Sequence, residues 1–181
     1  MAIGTVLDPT VIVERLTAPA GPPLLTIADA TVGFRHDIYW RSWDWVVEEW
    51  GRLIEMDGGR AVFWRHSPPM GKEINLMLEQ LDGFLDQVDA SVIGLANCGA
   101  CTMRTIHDAL RSLDRGLPTV SVATEHFEDL ARSLATRSGR DELRLQLLPY
   151  PLEGRPELDV RLIAREYYPA LLATLGVKVS S

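Results

Sequence analysis

Asn97-Cys98-Gly99-Ala100-Cys101-Thr102 holds the only two cysteines of the chain. It follows Ser91-Val-Ile-Gly-Leu-Ala96, a near-continuous apolar run of the kind a central parallel strand shows. A helical pattern takes over from about Thr102, so the thiols sit in the turn between a strand and a helix. A sulfur just before a helix meets unpaired N–H groups and the positive end of the helix dipole, and both stabilise a thiolate. Three uses of the pair stand open. Cys98 is a nucleophile with Cys101 resolving or assisting, or the two form a dithiol/disulfide redox couple, or they are inert buried thiols. A structural zinc site needs two more ligands at suitable spacing, and no second cysteine pair exists, so no metal is expected.

The elements that must position this turn are read from periodicity. Strands are expected at 31–35, 61–65, 91–96, 119–123 and 143–148. Helices are expected from Ser42 to about Met56, over 72–88, from Thr102 to Arg115, over 125–138, and from Pro156 to Gly176. Strand and helix alternate five times, which implies an α/β fold with right-handed crossovers. The expected class is a flavodoxin-like or Rossmann-like three-layer sandwich on a five-stranded, mainly parallel sheet. Its order is 2-1-3-4-5, with the switch point between strands one and three. Residues 1–30, broken by Pro9, Pro19, Pro22 and Pro23, read as an N-terminal extension, and 31–181 as a single domain.

Ligands of open parallel sheets bind outside the carboxyl ends of the strands, so the loops there supply the candidates. His36, Asp37, Trp40 and Arg41 follow strand one, with Arg35 at its end. His66 follows strand two. Asn97, Cys98, Gly99, Cys101 and Thr102 follow strand three. Thr124, Glu125 and His126 follow strand four, and Tyr150 follows strand five. Three of the four histidines therefore fall on one rim beside both cysteines. Glu125, His126, His66 and His36 are candidates for moving protons. Arg35 and Arg41 are candidates for clamping a carboxylate. Each has a plainer alternative: Glu125 as a first-turn dipole partner, Thr102 as a helix cap, the arginines as surface charges. Trp40 and Trp45 fall off the inward stripe of the first helix and are candidates for a pocket wall or a partner interface.

Composition narrows the class. The 181 residues carry a net charge of −7, with 46% apolar and 24% charged residues. That is ordinary for a globular domain and opposite to the basic footprint of nucleic-acid binding or of docking on anionic membranes. No apolar run reaches the ~18 residues of a membrane span, and no signal peptide is evident. A cytoplasmic protein is expected, where a C-x-x-C pair points to chemistry more than to a staple.

The cysteine turn does not stand alone. Ile106-His107-Asp108-Ala109, Arg115-Gly116-Leu117-Pro118-Thr119-Val120, Thr124-Glu125-His126-Phe127 and Leu148-Pro149-Tyr150-Pro151-Leu152 follow it in order. Together these motifs, over about residues 90–155, resemble the UGSC-type (seleno)protein family. More distantly they are similar to the selenoprotein B component of glycine reductase and to the related proline reductase subunit. The resemblance implies that Cys98 stands at the selenocysteine or cysteine nucleophile and Cys101 at the second motif cysteine, a resolving thiol. Ala100 replaces the motif serine or threonine, and Tyr150 replaces the histidine of a Pro-His-Pro segment. The reductases use a carbonyl cofactor from another chain; here no cofactor is evident, and an external thiol or carbonyl cofactor is the expectation.

The expected function is a cysteine-dependent enzyme acting through a covalent Cys98 adduct on a small polar or carbonyl-containing substrate, with cleavage or formation of a carbon–heteroatom bond. The alternatives are a thiol–disulfide oxidoreductase and a non-catalytic subunit or carrier. A homo- or hetero-oligomer formed through the aromatic N-terminal region is expected, with neither nucleic acid nor membrane as partner.

Overall fold

Val32 and Phe34 alternate in Thr31–Asp37, and Ala90–Ala96 is apolar but for Ser91, and both stretches form strands buried on both faces. The structure, a computed structural model, describes residues 19–66 and 73–178. The elements in chain order are β1 (Thr31–Asp37), α1 (Arg41–Met56), β2 (Arg60–His66), α2 (Glu73–Leu85), β3 (Ala90–Ala96), α3 (Gly99–Leu113), β4 (Thr119–Thr124), α4 (Glu128–Arg137), β5 (Leu145–Leu148) and α5 (Glu157–Leu175). A 3-10 turn, Glu125–Phe127, precedes α4. All strand pairs are parallel, and the order is β2-β1-β3-β4-β5. This is the flavodoxin-like order, with its switch point between β1 and β3. The loop predicted after His66 lies within 67–72, outside the described residues, as does the expected first residue of the second helix.

Two cores follow from the crossovers. Trp43, Val46, Val47, Trp50 and Ile54 of α1 meet Val160, Ala164, Leu171 and Leu175 of α5 over Val32, Phe34, Val92 and Val120. On the other face Ile93 meets Ile106, Ala109 and Leu113 of α3 and Ala131 and Ala135 of α4. A closed set of hydroxyls seats α3: Ser91 Oγ lies 2.7 Å from Ser112 Oγ and 3.1 Å from Thr119 Oγ1, and the last two are 2.9 Å apart. Buried hydroxyls that satisfy one another fix a helix's height on a sheet as apolar contacts alone do not.

Not every apolar residue at helical spacing turns inward: Ile74, Leu130, Leu158 and Leu162 are exposed. The buried stripe of α5 is Val160, Ala164, Leu171 and Leu175, and the Trp50 indole donates to Ala164 O at 2.7 Å. Trp40 and Trp45 are half-buried and packed on the chain's own core, and the Arg41 guanidinium lies 5.4 Å above the Trp45 ring. The described end of the N-terminal extension lies over the domain. Leu24, Ile27 and Ala30 are buried, Leu24 N donates to Leu175 O at 2.8 Å, and the Arg144 guanidinium donates to the carbonyl oxygens of Ala20, Gly21 and Pro22.

Gly33 lets α2 close on β1: a Cβ there would stand 2.8 Å from both Phe84 Cζ and Val88 Cγ1. Gly33→Ala is expected to cost ~1–3 kcal/mol through this overpacking. Urea unfolding would show it as a lower midpoint at unchanged slope, and a midpoint equal to wild type would refute the packing argument.

Candidate active site

Helix α3 begins three residues earlier than its periodicity suggested, because Cys98 itself is the N-cap. Its backbone is extended (φ −156°, ψ 168°), and its sulfur accepts from Cys101 N at 3.0 Å. The two cysteines are joined as a disulfide with Cα atoms 5.1 Å apart. Both are half-buried, while Gly99 and Ala100 between them are exposed, and nothing stands within 4 Å of where a Gly99 Cβ would be. The free side of the turn is therefore open to a ligand.

The neighbours of the thiols hold the turn. Thr102 is fully buried, and its hydroxyl donates back to Cys98 O at 2.6 Å, while its N–H donates to the same oxygen at 2.8 Å. It does not cap the helix, a role that Cys98 takes. Asn97 is buried, and its Oδ1 accepts from Thr124 Oγ1 at 2.9 Å, tying the ends of β3 and β4 together.

Beneath the switch point lies a buried charge cluster. Arg35, expected to clamp a substrate carboxylate, is wholly buried and held by the chain's own groups. Its guanidinium donates to Gly94 O at 2.9 Å, pairs with Asp108 at 2.8 Å, and stands 3.7 Å from Asp37. Burial lowers the Arg35 pKa against the pull of both carboxylates, and its Nε has no partner among the described residues. Burial likewise pushes the Asp108 carboxyl above the usual carboxylate range, opposed by Arg35 and Arg104. Asp37 also accepts from Tyr39 N at 2.9 Å, which shapes the loop after β1.

Asp108 and Arg104 were not singled out as site residues, although a signal for them existed. Cys101, Arg104, Thr105 and Asp108 stand at i, i+3, i+4 and i+7 and so share one side of α3. That side faces β1 and α2. A cleft of about 190 Å3 opens there, lined by Ile74, Met77 and Leu78 from α2 and by Met103, Arg104, His107 and Asp108 from α3. Below it, Asp82 of α2 binds Arg111 of α3 and stands 3.0 Å from Arg115, and the Arg111 bond above all holds the Asp82 carboxyl below its usual range.

The remaining rim candidates fall elsewhere. Strand alternation sends His36 to the sheet face opposite Arg35. His36 Nδ1 lies 3.1 Å from Asp44 Oδ1, and Asp44 also binds Arg65 at 2.9 Å and Arg41 at 3.4 Å. These residues line a separate cleft of about 240 Å3, walled by Phe63 and Val47. His66 is buried and stacks on Trp64 at 4.5 Å toward α2. Glu125 and His126 are exposed in the 3-10 turn, where His126 stacks on Tyr150 at 4.7 Å. The N-terminus of α1 is met by Glu153, which accepts from Ser42 N at 3.1 Å and Ser42 Oγ at 2.6 Å, so Trp40 supplies no side-chain cap. Among the described residues no cluster of three or more His, Cys, Asp or Glu is placed to hold a metal, and no helix is long and apolar enough to cross a membrane.

The model of the UGSC family matches residues 5–177, well beyond the motifs themselves. Among solved structures the chain is similar to a mutant flavo di-iron protein from Thermotoga maritima, at 14% identity and a TM-score of 0.47, over 77% of this chain. The match spans only 36% of that protein, and at this level it adds nothing to the fold read from the strand order. The comparison with curated proteins gave no match.

Two outcomes test the electrostatics. Asp108→Leu strands the buried Arg35 and is expected to cost ~3–5 kcal/mol in urea unfolding, whereas Arg35→Met with Asp108→Leu recovers most of the loss. A double variant no better than the single one would contradict this. Burial, opposed by Asp44, lowers the His36 pKa below its ordinary value. The unfolded chain then takes up this proton at higher pH than the folded one, so stability drops as pH falls through about 6.5. His36→Asn should flatten that part of the stability profile between pH 7.5 and 5.5; an unchanged slope would assign it to other groups.

Proposed function

Because the chain belongs to the UGSC family, we propose that it is a cysteine-dependent enzyme that cleaves a carbon–heteroatom bond next to a carbonyl, using Cys98 as nucleophile and Cys101 to resolve the adduct. The observation that carries this reading is the placement of Cys98 as N-cap of α3, its sulfur on the N–H of Cys101 and within bonding reach of the Cys101 sulfur. A helix N-terminus lowers a thiol pKa and makes the thiolate available near neutral pH.

The steps balance as follows. The Cys98 thiolate attacks the carbon, the C–S bond forms, the carbon–heteroatom bond breaks, and the leaving group takes up a proton. The Cys101 thiolate then attacks the Cys98 sulfur. The S–S bond forms, the C–S bond breaks, and the carbon keeps the electron pair as an enolate that is protonated. The substrate gains two electrons and the dithiol loses them, and an external thiol restores it. That need for a thiol donor favours a reducing compartment such as the cytoplasm.

The disulfide itself favours a second reading, a thiol–disulfide oxidoreductase whose substrates are disulfides rather than carbon centres.

The test is intact mass spectrometry of the reduced chain after exposure to α-substituted carbonyl compounds. Wild type should turn over to the disulfide, Cys101→Ser should accumulate the Cys98 adduct, and Cys98→Ser should remain unmodified. Adducts of equal yield in Cys98→Ser would reject Cys98 as nucleophile. Oxidation of wild type only by disulfide substrates, with no adduct in Cys101→Ser, would select the second reading.

A further inference from the structure

We infer that the cleft between α2 and α3 is the substrate-holding part of the thiol site, and that it takes a small carboxylate with an apolar body, whose carboxylate is bound by Arg104. The inference rests on the reading of Cys98 and Cys101 as the reacting groups and adds the class of substrate.

Three observations converge on it. The first is register. Arg104 lies one turn along α3 from Cys101 on the same side of the helix, so their Cβ atoms are ~5–6 Å apart. A molecule seated on Arg104 reaches the thiol turn with only a few atoms. The second is charge. Arg104 makes no ion pair among the described residues, and its recorded partner is the sulfur of Met77 at 3.2 Å. A guanidinium carries five N–H donors in a planar fork, and a thioether is a weak acceptor that satisfies almost none of them. The neighbouring charges are already committed: Asp108 and Asp37 to Arg35, and Asp82 to Arg111 and Arg115. Arg104 is the cation left over, and a carboxylate matches its fork bidentately. The third is shape. Ile74, Met77, Leu78 and Met103 make apolar walls, Ile74 and Met103 standing 44% and 50% exposed, while His107 and the Arg35-paired Asp108 complete the lining. At about 190 Å3 the cleft falls below the ~300–1,000 Å3 of drug-sized pockets, which limits the ligand to a small acid.

The second cleft, around His36, lacks such an uncommitted group. Its Asp44 is shared by His36, Arg41 and Arg65, and its Glu48 is bound to Arg161 at 2.6 Å.

The probes are 2-bromohexanoate and its neutral amide, which alkylate a thiolate irreversibly and need no turnover. The reduced full-length chain carrying Cys101→Ser, in which the Cys98 adduct accumulates, is treated with each, alone and combined with the Arg104 variants, and the rate of modification at Cys98 is followed by intact mass and peptide mapping. The expected result is a saturable preference for the acid over the amide. In Arg104→Gln the acid-to-amide rate ratio should drop about tenfold or more, and Arg104→Lys should recover part of it. An acid-to-amide ratio equal with and without Arg104→Gln in the Cys101→Ser chain overturns the inference, as does a loss of both rates in proportion, which would place Arg104 on the thiolate instead. If the amide labels Cys98 while the ratio stays flat, the thiol reading stands and only the carboxylate site is lost. If neither probe labels Cys98, the proposed function falls first and the inference with it.

Discussion

Taking a guanidinium out of water costs several kcal/mol unless opposite charge and hydrogen bonds go with it, and Arg35 is wholly buried between the sheet and α3. Its partners come from three elements: Asp37 in β1, the Gly94 carbonyl in β3 and Asp108 in α3. Each partner is obliged to stay where it is, since moving it would leave a charge in a dry interior. The cluster therefore sets the height and rotation of α3 against the switch-point strands. Because Cys101 stands on the same side of α3 as Asp108, it also sets where the thiol turn points.

The same helix is held from two further directions. The Ser91, Ser112 and Thr119 hydroxyls grip its sheet side, and the Asp82–Arg111 bond links it to α2. A helix so constrained keeps its N-terminus in place, and an N-capping sulfur needs that more than most groups. A displaced N-terminus would take away both the Cys101 N–H and the dipole field that favour the thiolate. The fold does not by itself dictate this chemistry, since flavodoxin-like sheets carry many functions. The cysteine turn and the charges around it supply the chemistry.

Neighbours on the rim of the sheet do not form one site. Successive residues of a strand point to opposite faces, so Arg35 and His36, adjacent in sequence, belong to different clefts. Arg35 and Asp37 lie under α3, near the thiols. His36 meets Asp44 of α1 on the other face, in company with Arg41 and Arg65. The candidates gathered from the loops after each strand thus divide into a thiol side, an α1 side, and an exposed turn carrying Glu125 and His126.

The strand order, the alternation of strand and helix, and the place of both cysteines at the β3–α3 turn were legible in the sequence, because each rests on local periodicity and on short, handed connections. The membership of the family was legible too, in motifs spread from Asn97 to Leu152. What the sequence by itself could not determine was the fate of individual polar side chains. Arg35 reads as a rim residue and becomes the centre of a buried cluster, Thr102 reads as a cap and turns back onto Cys98 O, and Arg104, unremarkable in the sequence, faces the cleft without a carboxylate partner among the described residues. Only the tertiary structure decided these, because a charge is paired or unpaired according to what the other elements bring within a few ångströms, and no local pattern encodes that distance.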